Sequence, residues 1–312
     1  MTASSPTGPP HPPPPTVDYV LLAVAVAAVS TSAPLIRGAD APSLAIAFWR
    51  NALALPVLGA MVLARRDRRR EARHLDARER RLALVAGLFL AAHFAAWVPS
   101  LALTSVASAV ALVATQPVWA ALIARWRGDH VPRLAWWGIG SAMVGAVLLT
   151  GVDLSISPRA LFGDLLALLG GALAAAYVTV GAEARRTVST TVYAVACYGV
   201  AAAALLAVCL VGRQPLAGYD GHTWLLLAAT VAGPQLLGHT LVNRVLSTIS
   251  PVIVSVAILF EIVGAALLAW LAFDEVPSAS AVPAGLCIAL GVVLVVRSSP
   301  DEPAVAGSPP VD

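Results

Sequence analysis

The chain contains no lysine: all 20 of its basic residues are arginine. Charge of either sign is scarce. Asp, Glu and Arg make up 12% of the 312 residues, against about 25% in an ordinary soluble domain. So little charge cannot coat the surface of a soluble protein this long. The three cysteines, Cys197, Cys209 and Cys287, all fall inside apolar blocks, which reads as packing and gives no basis for a disulfide scaffold or a metal site. Also missing are a Walker loop, a dinucleotide-binding glycine pattern, a His-Glu-x-x-His helix and a Gly-x-Ser-x-Gly elbow. Nucleotide-driven pumping, common hydrolytic chemistry and any cofactor are therefore not expected. The arginines lie between apolar blocks rather than on one polar face, so nucleic acid is not expected as a partner either.

Apolar surface is abundant. Hydrophobic residues are 59% of the chain, with a mean hydropathy of +0.82. They arrive in blocks about 20 residues long, the length that crosses a bilayer as a helix. Ten blocks stand near 17–36, 42–64, 82–101, 104–124, 134–151, 161–181, 189–212, 223–243, 251–271 and 278–297. The third and fourth are parted by a tight break at Pro99 and Ser100. Residues 1–16 hold seven prolines and no arginine, and residues 298–312 have a similar polar, proline-bearing composition. Both ends read as disordered tails. The expected fold is an all-α polytopic membrane protein of ten transmembrane helices.

Arginine placement orients the spans. Nine arginines crowd 65–81; with Arg125, Arg127, Arg133, Arg185, Arg186, Arg244 and Arg297 they put sixteen on one side. Arg37, Arg159 and Arg213 are left for the other, and Arg50 lies within a span. The richer side is expected to be cytoplasmic, with both termini there and the protein in the plasma membrane. The ordinary role of the 65–81 segment is to set orientation, and it could also touch anionic lipid head groups.

The two halves resemble each other. QPVWAALIARWRGDHVP at 116–132 matches EIVGAALLAWLAFDEVP at 261–277 in eight of 17 positions at an offset of 145. VAGLFLAAH at 85–93 aligns with VAGPQLLGH at 231–239 at offset 146, ending on His93 and His239. Five spans per half is an odd number, so the second copy enters the membrane upside down. Halves at 17–155 and 156–297, between the two tails, are the expected domains. Inverted repeats of this kind occur in secondary transporters with a midplane site.

The chain resembles the drug/metabolite transporter superfamily, EamA type, over almost all of 17–297. The likeness rests on APSLAIAFWR at 41–50, SLALTSVASAVALVATQPVWAAL at 100–122, Gly128-Asp129, Gly163-Asp164, GHTLVNRVLSTISPVIVSVAILFE at 238–261 and Asp274-Glu275-Val276-Pro277. It implies two inverted five-helix repeats around a central cavity and secondary transport of small metabolites. The family often has Glu-Pro where this chain has Glu261-Ile262, and Gly-Glu where it has Gly128-Asp129.

Several residues could carry that function. Glu261 lies about ten residues from either end of span nine, where an acid costs about 2.5–3.5 kcal/mol to insert and commonly relays protons or holds cations; the bland alternative is a bond to a neighbouring helix. Gln235, His239 and Asn243 at i, i+4, i+8 line one face of span eight. Phe89, His93 and Trp97 are their repeat counterparts in span three. The two histidines are expected at mirrored depths of one cavity, or else in interhelical hydrogen bonds. Arg50 could snorkel outward, contact an anionic substrate group or pair with Glu261. Gln116 is the repeat equivalent of Glu261. Thr115, the Ser30–Ser32 run near Pro34 and Tyr177 are weaker cavity candidates.

The sequence thus predicts a secondary transporter, not an enzyme, exporting a small metabolite or drug-like molecule by alternating access. Its partners would be that solute and membrane lipid; proton coupling through Glu261 is open, as is the choice between monomer and homodimer. The alternative is an intramembrane enzyme, or a receptor or channel without alternating access.

Overall fold

A computed structural model of the protein describes residues 16–128, 131–151, 157–238, 241, 245, 260–274, 276 and 279–298. Every regular element among them is helical. In chain order these are α1 (Thr16–Ser30), α2 (Ser32–Gly38), α3 (Ser43–Ala52), α4 (Ala54–Ala64), α5 (Arg66–Arg73), α6 (Ala77–Leu103), α7 (Val106–Val113) and α8 (Gln116–Trp126). They continue as α9 (Arg133–Gly151), α10 (Pro158–Ala184), α11 (Thr190–Val211), α12 (Gly221–Thr230), the π-helical α13 (Val231–Gly238), α14 (Phe260–Phe273) and α15 (Ala281–Ser298). Among the described residues, six segments are long and apolar enough to cross a membrane: Thr16–Gly38, Ser43–Ala64, Ala77–Leu103, Val106–Trp126, Pro158–Gly181 and Thr190–Val211. Shorter apolar helices, Glu261–Phe273 and Ala281–Gly291, accompany them. Leu63, Trp137, Val211 and Leu271 are each more than 60% exposed, as suits side chains that lipid covers.

Among the described residues four apolar segments are interrupted, and one rule places these four breaks. Each first piece ends four residues before a proline: Ser30 before Pro34, Ala52 before Pro56, Val113 before Pro117 and Thr230 before Pro234. A proline has no N–H for the carbonyl four residues back, and its ring crowds that carbonyl. At the first break the Ser30 hydroxyl donates to the Val26 carbonyl at 2.8 Å and the Thr31 hydroxyl to Ala28 at 2.7 Å, bonds that bend a helix further. At the fourth, the helix widens into the π turn of α13, a distortion frequent at functional sites. Pro99 behaves differently. The expected break at Pro99 and Ser100 does not occur: α6 runs through to Leu103, and Ser105 caps the start of α7 by accepting from the Ser108 N–H at 3.1 Å. The Ser100 hydroxyl, bonded to the Trp97 carbonyl at 2.6 Å, is accommodated inside the continuous helix.

Contacts gather the connections at two ends. At one end Arg37 donates to the Leu101 carbonyl and, at 3.3 Å, to Thr104; Arg159 donates to Ala102 at 3.0 Å. Two of the three arginines outside the rich side thus cap the C-terminus of α6, where bare carbonyls and the helix dipole favour a cation. The Asp40 N–H donates to Thr223 and the Trp49 indole to the Leu216 carbonyl at the same end. At the other end the arginine-rich segment is a built structure. Arg68 of α5 donates to the Thr191 hydroxyl at 2.8 Å, Glu71 accepts from the hydroxyl of Ser189 at 2.6 Å, and Arg78 bridges to Glu183. Arg78 and Arg186 hold the Glu183 carboxyl below its ordinary value near 4.5. The depressed value means that the contact contributes fully above the ordinary value and fades as pH falls through the lower folded-state one. With Arg78 half exposed and Glu183 29% exposed, it is screened by water and salt, so Glu183→Gln should leave thermal stability nearly unchanged at neutral pH.

α9 and α15 pack antiparallel through small residues. A Cβ on Gly145 would lie 2.6 Å from the Ala284 carbonyl and 2.7 Å from Ile288; one on Gly291 would lie 2.5 Å from the Gly138 carbonyl and 2.7 Å from Ala142. The Ser141 hydroxyl donates to the Cys287 carbonyl at 2.8 Å. Adding a side chain here is overpacking, which costs about 1–3 kcal/mol. Gly291→Val should lower the unfolding temperature, while Gly285→Ala, with nothing within 4 Å of its Cβ, should not. Equal thermal scans for the two variants would contradict this packing.

Candidate functional site

The broken segments meet in the interior. Ser30 lies so close to Gly264 of α14 that a Cβ there would collide with its hydroxyl. One on Gly238 of α13 would sit 2.6 Å from Val29. Only glycine admits these approaches, which bring the first break against α13 and α14. Gly171 of α10 is similarly close to the third, where a Cβ would lie 3.1 Å from the Val113 carbonyl.

Arg50 stands at the centre of this region, two residues before the second break. It does not reach outward: it is 3% exposed. Its Nε donates to Gln235 Oε1 on α13 at 3.0 Å. Its guanidinium lies over Phe94, with Cζ 4.3 Å from the ring centroid, and 5.7 Å from that of Trp97. Aromatic faces stabilise a cation held there. Tyr198 of α11 is beside Gln235, and both Tyr198 and Glu261 are near enough to Arg50 for their charges to interact. His93 adjoins through Trp97; the two rings stack at 5.8 Å with 11° between planes. His93 Nδ1 lies 2.8 Å from the Gly170 carbonyl, so that nitrogen is the donor. Gly170 lets α10 come this close, since a Cβ would be 3.1 Å from Trp97 Cβ.

The cluster is incompletely bonded. Arg50 Nη1, Trp97 Nε1 and Gln235 Nε2 are buried with no hydrogen-bond partner, as is the acceptor Asn51 Oδ1. A buried polar group left unmade costs about 1–3 kcal/mol, and native proteins rarely tolerate several together. Flipping the Gln235 amide would not help, because its oxygen already accepts from Arg50.

The structure therefore brings together Arg50, Trp97, Gln235 and Glu261 from spans two, three, eight and nine, with His93 alongside. Gln116 opens α8, half-buried, and among the described residues makes no hydrogen bond to this group. His239 and Asn243 lie outside the described residues. No sequence signal pointed to Phe94 or Tyr198: Phe94 is off the stripe that carries His93 and Trp97, and Tyr198 is one of two tyrosines in an otherwise apolar span. Arg50 and Gln235 are 185 residues apart, so no local spacing joins them.

The sequence matches the EamA-like transporter family over residues 16–151 and again over 161–297. No curated protein matches it. Among 16 matching solved chains, one crystal structure of a protein superposes with a TM-score of 0.62 at 21% identity, covering 91% of this chain and 98% of that one. At that identity the likeness speaks for the fold alone.

Proposed function

Since the chain belongs to the EamA-like transporter family, a family of multi-pass membrane transporters of small molecules, we propose that it is a secondary transporter. It exports a small metabolite or drug-like molecule across the plasma membrane by alternating access. The observation that carries this reading is the group of unpaired buried donors at Arg50, Trp97 and Gln235, set where proline-broken segments meet. Broken helices around a polar midplane site are the construction of rocking transporters.

Ten spans in two inverted repeats fit the packing. Gly145 meets Ala284 and Ile288, and Gly291 meets Gly138 and Ala142; adding 146 to 138, 142 and 145 gives 284, 288 and 291. Each contact thus has its mate in the other half, and Ser141 bonds its own counterpart, Cys287. A two-fold that relates antiparallel helices is perpendicular to them, hence in the membrane plane. The arginine-rich end, with α5 and both termini, is the cytoplasmic one. A cysteine-free protein carrying Arg70→Cys or Ala217→Cys checks this: an impermeant maleimide on intact cells should label position 217 and spare position 70. The opposite pattern would invert the orientation.

Transport itself is tested by a growth screen of an overexpressing strain against amino acids, drugs and metabolites, followed by flux of the active compounds in proteoliposomes. Gradient-dependent flux is expected. Release of a chemically altered product, independent of any gradient, would instead make the protein an enzyme.

A further inference from the structure

We infer that the buried cluster recognises a carboxylate, and that the transported solute is a small monocarboxylate-bearing molecule; this rests on the transporter reading above and names the substrate class of the same site. The unpaired atoms at Arg50 Nη1, Trp97 Nε1 and Gln235 Nε2 are all donors, so their complement is a group rich in acceptors. Two of these donors belong to groups whose centres are 5.7 Å apart. The two oxygens of one carboxylate, each about 2.8 Å from its donor, bridge such a pair.

The Arg50 guanidinium is turned for this use. Its Cζ lies over the Phe94 ring, so that side of the guanidinium is closed by an aromatic face. Its Nε is already fixed by Gln235, which leaves the Nη1 edge to an incoming anion. A planar, pre-oriented guanidinium suits planar carboxylates. Net charge sets the valence. Arg50 supplies one positive charge, Trp97 and Gln235 supply none, and the nearby Glu261 has none to add. A monoanion is matched; a phosphate dianion is not. Amines find no orphan acceptor on Arg50, Trp97 or Gln235.

The test is binding to the purified full-length protein in nanodiscs, read as the shift in unfolding temperature. The probes are the standard amino acids and short monocarboxylic acids, each beside its carboxamide, with inorganic phosphate and simple amines as controls. At least one carboxylate should stabilise the protein while its carboxamide does not. Trp97→Phe keeps the ring and loses the N–H, and should weaken that binding by about tenfold, the worth of one hydrogen bond to a charged group. Arg50→Gln should abolish the shift, and an unchanged elution profile and baseline unfolding temperature for Trp97→Phe separate lost binding from lost fold. Stabilisation by amino acids alone would assign the carboxylate to a zwitterion; stabilisation by plain acids as well would assign it to any monocarboxylate. No carboxylate-selective shift, an equal shift with the carboxamide, preference for phosphate or amines, or full affinity in Trp97→Phe would each overturn the inference. Carboxylate binding without flux in proteoliposomes would spare the site and sink the transporter reading instead.

Discussion

Glu261→Gln should abolish solute accumulation driven by a pH gradient while leaving the protein inserted and folded. Glu261 opens α14 one turn before Gly264, whose bare backbone meets Ser30 at the first break, and its charge interacts with that of Arg50. Tyr198 is the further titratable group near Arg50. A mid-membrane carboxyl facing other polar groups is the usual element of a proton relay: it takes a proton on one side and yields it on the other as the spans rock. Glutamine keeps the shape and the hydrogen bonding but cannot titrate. Exchange of labelled for unlabelled solute should therefore survive, because rocking does not require the charge. The measurement is flux into proteoliposomes of matched protein content, with and without a pH gradient. Full pH-driven accumulation in the variant would make Glu261 structural. Flux that ignores pH in the wild type would remove proton coupling from the account.

Gln235→Glu should act on stability and transport in opposite directions. The new carboxylate would accept from Arg50 Nε with a full negative charge, replacing a bond to a neutral amide by a charge-assisted one. A charge-assisted bond to a buried guanidinium is worth about 1.5–3 kcal/mol, so the unfolding temperature should rise. Transport should be lost, because the protein's own carboxylate neutralises Arg50 and repels the solute's. Gln235→Leu provides the contrast. It removes the acceptor for Arg50 Nε, strands a buried charge and should lower stability by a similar amount. A purely structural Arg50–Gln235 bond predicts otherwise: the glutamate variant would be stable and active.

Much of the architecture was legible in the sequence because membrane helices declare themselves by length and because charges inside them are rare. Glu261 and Arg50 stood out for that reason, and both lie at the centre. The family resemblance and the internal repeat likewise led to the two matched regions, 16–151 and 161–297. The breaks were harder. Pro34, Pro56, Pro117 and Pro234 mark them, yet each sits in a block so uniformly apolar that hydropathy runs straight across it. Pro99 shows why proline alone does not decide: α6 runs through it to Leu103. The stripe through Gln235 was read with the α-helical period, whereas Val231–Gly238 is π-helical, with bonds from i to i+5; nothing in the composition VAGPQLLG signals this. The partnership of Arg50 with Gln235, and the aromatic floor of Phe94, arise from tertiary packing and have no local trace.

Accessibility of the centre from the two sides tests alternating access most directly. In a protein whose natural cysteines at 197, 209 and 287 have been replaced, Gln235→Cys is exposed to an impermeant maleimide in right-side-out and in inside-out vesicles, with a pH gradient of either sign. The account predicts labelling from both sides, with reactivity on one side falling as it rises on the other when the gradient is reversed. Labelling from one side alone under every condition would contradict it.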